Sequence, residues 1–328
     1  MKEALYWLPL EDKKVKCVLC PHECIIRNNK TGICNIRQNK DGILYALMYE
    51  QVSSVNMDPI EKKPLYHFYP GTKILSIGTL GCNFSCEFCQ NWHLIESQVP
   101  IQTISSEKIV ELAKKHKSIG IAYTYNEPFI WFEYVLETAK LARKDNLKNV
   151  LVTNGHYNPE PFEELLPYID AMNIDLKYMN PQMYKKISKG NRDPVLETIK
   201  KASRKCHVEI TNLVVPGLND SEEDIKQLVD FVSSVNPFIP LHFSRYHPAY
   251  KLKTDPTPPE TLEMCYKIAS EKLKYVFVGN IVLSRGNNSI CHNCQNILVN
   301  RLGYYTQISG LTKDGKCTKC GTFSYIIN

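Results

Sequence analysis

The sequence predicts an α/β protein, a parallel sheet curled into a partial (β/α)6 TIM-like barrel with a small cysteine-rich module on each side. Three observations predict it. From Lys73 onward, short apolar, β-branched segments alternate with amphipathic ones, as buried strands alternate with crossover helices. The length of 328 residues accommodates one large domain with appendages. Thirteen cysteines gather mainly into three groups, one inside the alternating region and one on either side of it.

The predicted strands are Ile74–Leu80, Ile119–Tyr125, Val150–Thr153, Ala171–Asp175, Val208–Val215 and Leu241–Tyr246. Between them run amphipathic segments at Glu107–Lys115, Phe129–Arg143, Pro161–Leu166, Val195–Arg204 and Glu222–Val235. The last of these opens on Ser221-Glu-Glu-Asp224, close to a capping box. A final helix near Glu260–Lys272 follows the break at Pro256 to Pro259. Such a barrel carries its functional side chains in the loops after the strands. Residues 1–72 are read as an N-terminal four-cysteine metal module and lead-in, 73–283 as the barrel, and 284–328 as a C-terminal four-cysteine ribbon.

Net charge is +6, with 43% hydrophobic and 23% charged residues, which argues against disorder and against a strong nucleic-acid footprint. No run of eighteen apolar residues is present, so no membrane span is expected. Residues 1–12 lack the apolar centre of a signal peptide, and a cytoplasmic location is expected. In that compartment, clustered thiols read as metal ligands rather than disulfides. Cys206 and Cys265 stand outside the clusters and read as small buried hydrophobes. If the other eleven cysteines bind one cube and two metal ions as thiolates, the chain's +6 falls to about +1. The apparent basicity therefore points to no acidic partner.

Directly after the first strand, Gly81-Cys-Asn-Phe-Ser-Cys-Glu-Phe-Cys-Gln-Asn-Trp92 has C-x3-C-x2-C spacing. Three thiolates on one tight loop can hold three irons of a [4Fe–4S] cube and leave the fourth open to a substrate or cofactor. With Phe88 before the last cysteine, this stretch resembles the radical S-adenosylmethionine (SAM) superfamily motif, carried by Cys82, Cys86 and Cys89. The resemblance implies a radical SAM type of barrel in which the open iron chelates SAM. The reduced cluster would cleave SAM to a 5′-deoxyadenosyl radical that abstracts hydrogen from substrate, under anaerobic conditions.

Other loops carry the resemblance further. Thr124-Tyr-Asn-Glu-Pro128 lies where relatives carry Gly-Gly-Glu-Pro, which implies SAM contacts for Asn126 and Glu127. Val152-Thr-Asn-Gly155 and Asn173-Ile-Asp-Leu-Lys177 resemble the glycyl-radical-activating branch and imply SAM roles for Thr153, Asn154, Asp175 and Lys177. Val215-Pro-Gly-Leu-Asn-Asp220 resembles that branch's loop beside SAM, and His247 lies where a histidine sits near the nucleoside. Val152 departs from the branch's acidic residue, and Tyr125-Asn126 from its Gly-Gly. The fuller resemblance, across nearly the whole chain, is to AmmeMemoRadiSam-system radical SAM enzymes, relatives of pyruvate formate-lyase activating enzymes. It suggests AMMECR-type and Memo-type proteins as company.

Cys291-x2-Cys294 and Cys317-x2-Cys320 are paired knuckles for one tetrahedral site, zinc by default or a rubredoxin-like iron, with a stapling role for a coreless module. Cys17-x2-Cys20-x3-Cys24-x9-Cys34 fits zinc or an auxiliary iron–sulfur cluster equally well. The leading expectation is a radical SAM oxidoreductase or modifying enzyme acting on an unidentified small-molecule or protein substrate. It would draw electrons from a low-potential donor such as flavodoxin or ferredoxin. The alternatives are an activase that installs a glycyl radical on a partner protein, and a metal-clip module binding RNA or protein through Arg301, Tyr304, Tyr305 and Lys316.

Overall fold

Segments such as Ile74–Ile77 and Ile121–Tyr123 form strands because branched and aromatic side chains suit a pleated surface, and here they are buried on both faces. The computed structural model describes residues 1–96 and 99–328. One eight-stranded sheet runs in chain order: β1 (Ser54–Pro59), β2 (Lys73–Gly78), β3 (Gly120–Tyr123), β4 (Lys148–Thr153), β5 (Ala171–Asp175), β6 (His207–Val214), β7 (Leu241–Arg245) and β8 (Val276–Gly279). From β2 to β8 every neighbour is parallel, while β1 lies antiparallel on the β2 edge. The six expected strands are all present. Two more, β1 and β8, extend the sheet at its edges.

The longer helices are α1 (Ser106–Lys115), α2 (Phe132–Lys144), α3 (Pro159–Leu165), α4 (Arg192–Ala202), α5 (Glu222–Val235) and α6 (Pro259–Ser270). In α5, Ile225, Leu228, Val229 and Val232 recur at helical spacing and are buried against the sheet side. Its start is fixed by Ser221, whose hydroxyl accepts from the Asp224 amide at 3.2 Å. Cys265, on α6, is fully buried as expected, and Cys206 is partly buried.

The two cysteine modules dock at opposite ends of the strands. Residues 5–34 pack over the C-terminal ends: Asn158 donates its side-chain amide to Val18 O at 2.8 Å, and His22 Nε2 contacts Asn83 O at 2.7 Å. The buried Arg37–Glu133 pair (2.9 Å) ties this module to α2, and Glu133 also accepts from the Leu5 amide at 2.7 Å.

The C-terminal ribbon, with strands at Ser289–Ile290, Ile297–Leu302 and Tyr305–Ile308, sits instead at the N-terminal ends. Tyr275, just before β8, donates to Ser324 O at 2.7 Å, and Phe238, before β7, stacks on Tyr325 at 4.0 Å. Arg301 is buried there, donating to Tyr66 O at 2.6 Å and Ser289 Oγ at 2.9 Å. It is therefore not part of the exposed basic face that an RNA-gripping ribbon would need; the burial of its stem and the carbonyl partners at the barrel's floor explain why.

Glu209 organises the same end. Its carboxylate accepts from the Tyr66 and His67 amides at 3.0 and 2.7 Å and contacts His207 and His242 at 2.9 and 2.6 Å. Burial alone would raise its pKa, but the hydrogen bonds from His207 and His242 hold it well below the usual carboxylate range. Among the described residues, no helix is long and apolar enough to cross a membrane.

Candidate active site

The loop after β2 turns on Gly81, at φ +80°. A Cβ there would meet Cys34 O at 2.4 Å, so only glycine lets the loop lie this close to the N-terminal module. Cys82, Cys86 and Cys89 follow. The Phe84 amide donates to Cys82 Sγ at 3.3 Å, and Ser188 Oγ lies 3.3 Å from Cys86 Sγ. Burial pushes the Cys82 and Cys86 thiols up, and the nearby Lys177 ammonium opposes that at Cys86. Buried thiolates become favourable when a metal centre supplies the positive charge. No three of these sulfurs, nor of those at Cys17, Cys20, Cys24 and Cys34, lie within 4.8 Å of one another among the described residues. That spread suits a polynuclear cluster at the central loop, whose ligands sit on separate irons.

Polar groups from consecutive strand ends surround the loop. After β3, Asn126 bridges inward: it accepts from the Thr79 amide at 3.1 Å and donates to Leu80 O and Gly81 O at 3.2 and 3.0 Å. The Glu127 carboxylate is buried and accepts from the Phe129 and Asn154 amides at 2.9 and 2.8 Å and from Thr153 Oγ at 2.8 Å. Desolvation outweighs these bonds and raises its pKa to about 7.

After β4, Asn154 donates to Asn83 Oδ1 at 2.7 Å, with its amide nitrogen 3.9 Å from Cys82 Sγ. After β5, Lys177 pairs with Asp175 at 2.9 Å, and its ammonium lies 5.8 Å from the centre of the Phe88 ring. Burial would lower the Lys177 pKa, but Asp175 and the Cys86 sulfur hold it above the ordinary lysine range. His247, after β7, is exposed. The structure thus brings Asn126, Glu127, Thr153 and Asn154 into one hydrogen-bonded network with the Cys82 loop, and Asp175, Lys177 and Phe88 beside Cys86.

Sequence reasoning did not single out Ser188 or Tyr184. They lie on the π-helical turn Tyr184–Ser188, where Tyr184 accepts from the Lys177 amide at 3.0 Å and Ser188 O accepts from the Ser85 amide at 3.1 Å. A Cβ on Gly190 would strike Phe84 at 2.1 Å, so this turn packs directly on the cysteine loop.

The two flanking quartets differ. Cys291, Cys294, Cys317 and Cys320 place all four sulfurs within 4.8 Å of one another, with Cys291–Cys320 and Cys294–Cys317 each at 3.6 Å. A hydrogen bond with Thr322 draws the Cys320 thiol down to about 6, as suits a metal ligand. The N-terminal quartet instead lines a small cavity of about 20 Å³.

A parallel barrel with a three-cysteine loop at the first strand end and polar groups on the ends that follow defines a class, and comparison with known proteins names it. Residues 76–232 match the radical SAM superfamily. The chain belongs to that superfamily; it is an enzyme of it, and its cofactors are a [4Fe–4S] cluster and SAM. It is 44% identical over 330 residues to an uncharacterized protein of Methanocaldococcus jannaschii, covering 98% of both chains. It is 24% identical over 179 residues to the pyruvate formate-lyase-activating enzyme of Clostridium pasteurianum, covering 51% of this chain and 72% of that enzyme. A radical SAM methyltransferase from Sphaerobacter thermophilus shares the fold, with TM-score 0.51 and 14% identity over 64% of this chain and 67% of that one.

Proposed function

We propose that the chain is a radical SAM oxidoreductase or modifying enzyme that removes a hydrogen atom from an unidentified small-molecule or protein substrate at the open end of the barrel. The observation that carries this is the half-buried Cys82–Cys86–Cys89 loop meeting the Glu127, Asn154 and Lys177 strand ends. When bound, the cluster and SAM supply a 5′-deoxyadenosyl radical able to break a C–H bond.

The chain's own residues then have distinct tasks. Cys82, Cys86 and Cys89 ligate three irons and leave the fourth for SAM. Glu127, held by two backbone amides, offers its carboxylate to the SAM amino group, and Thr153 and Asn154 keep it oriented. Lys177, fixed by Asp175, supplies positive charge beside Cys86 and a partner for the SAM carboxylate. Asn126 anchors the cysteine loop from below, Phe88 packs against it, and His247 borders the nucleoside from the rim. The tetrathiolate at Cys291, Cys294, Cys317 and Cys320 holds zinc as a staple for the ribbon, whose own buried core is very small. Flavodoxin or ferredoxin is the class of electron donor, and AMMECR-type and Memo-type proteins are candidate company.

A second reading, an activase installing a glycyl radical on a partner protein, is favoured by the similarity to the Clostridium pasteurianum enzyme and by Asp175-Leu-Lys177. A stable doublet radical on a glycine-bearing partner after turnover would decide for it.

The test is anaerobic: reconstitute with iron and sulfide, add SAM and dithionite, and quantify 5′-deoxyadenosine. Wild type should produce it, and a Cys82→Ala/Cys86→Ala/Cys89→Ala variant should not. Wild-type protein that neither assembles the central cluster nor binds SAM would overturn the proposal.

A further inference from the structure

We infer that Cys17, Cys20, Cys24 and Cys34 hold a second [4Fe–4S] cluster, not zinc, against the outer wall of the SAM-binding loop. The two flanking quartets provide an internal standard. A tetrahedral zinc site with Zn–S bonds of about 2.3 Å brings its sulfurs to about 3.8 Å of each other. The C-terminal quartet has that spacing, with pairs at 3.6 Å. In the N-terminal quartet no three sulfurs come within 4.8 Å among the described residues, and all four line one cavity. Sulfurs that surround a space, rather than closing on a point, match a cube whose four corners each take one ligand.

Two further groups fit a cluster in that space. Arg37 lines the cavity and is buried, and its Nε–H has no hydrogen-bond partner although its other nitrogens bond Glu133. An unpaired buried N–H is costly, and a cluster or cysteine sulfur at the cavity would satisfy it. Asn83, the neighbour of Cys82, also lines the cavity, while Gly81 presses on Cys34 O. The second cluster would therefore stand immediately beside the first. Four protein thiolates leave no iron open, so it can pass single electrons and cannot chelate a substrate as the central cluster does.

Acid-labile sulfide and metal content of the anaerobically reconstituted full chain test this. Two clusters give about eight sulfides per chain, and a zinc-filled N-terminal site gives about four. The Cys82→Ala/Cys86→Ala/Cys89→Ala variant should keep about four sulfides and a reduced-cluster electron paramagnetic resonance (EPR) signal. That signal should be narrower than in wild type, where two adjacent paramagnetic clusters broaden each other. Cys20→Ser/Cys24→Ser should lose that same share while retaining SAM binding, which shows that the rest of the chain is folded. About four sulfides and two zinc ions in wild type, with none of the sulfide surviving in the triple variant, would overturn the inference. Failure of the SAM-cleavage reading would look different: the N-terminal cluster would still assemble, while the central cluster and SAM binding would be missing.

Discussion

Two modules with the same number of clustered cysteines flank one barrel, and they differ in where they dock and how far apart they hold their sulfurs. The C-terminal quartet closes to 3.6 Å pairs at the N-terminal ends of the strands, away from the Cys82 loop. The N-terminal quartet rings a cavity at the C-terminal ends, with Asn83 in its wall. Counting cysteines does not separate a staple from a site-bordering centre; position on the barrel and sulfur spacing do.

The largest effect expected from breaking this contrast is at the ribbon. Cys317→Ser should expel its metal and unfold residues 284–328, since structural zinc contributes about 10 kcal/mol to such modules. Proteolysis should then cut the ribbon, while iron content and SAM binding stay near wild type.

Next is the barrel floor. Glu209→Gln leaves His207 and His242 without their carboxylate and should cost about 3–5 kcal/mol in unfolding free energy, read by denaturant titration. Because the Glu209 pKa is depressed in the folded chain, its stabilisation is present above the unfolded carboxylate pKa of about 4.3 and is lost as pH falls toward the folded value. The variant's stability should fall less steeply below that pH.

On the opposite face, Glu127→Gln should weaken SAM binding by roughly ten- to a hundredfold, the worth of a charged hydrogen bond, with cluster content unchanged. With its pKa raised to about 7, Glu127 gains charge as pH rises through that value. Wild-type SAM affinity should strengthen over that range and the variant's should stay flat, by calorimetric titration. The smallest effect is at Ser188→Ala, which removes the 3.3 Å contact to Cys86. A shift in the cluster's midpoint potential without loss of iron is expected, read by EPR-monitored redox titration.

Much of this was legible in the sequence, for identifiable reasons. The six central strands were legible because they carry apolar and β-branched residues, as suits strands covered on both faces. β1 escaped notice because an edge strand such as Ser54–Pro59 is half polar and exposed, and β8 because no crossover helix follows it, which leaves it outside the strand–helix alternation. The cysteine loop and the strand-end residues were legible because short motifs carry them. Ser188 was not, because it reaches Cys86 across 102 positions from a π-helical turn with no distinguishing residue pattern. Arg301 read as a surface base because charge alone does not reveal a burial supported by Tyr66 O and Ser289.

The contact between Gly81 and Cys34 also bears on how the chain is made. Residues 1–34 leave the ribosome before the Cys82 loop exists, yet Glu133 and Asn158, which hold that module in place, come later still. The two surfaces that meet at Gly81 must therefore take shape together, as one folding unit, rather than in order of synthesis.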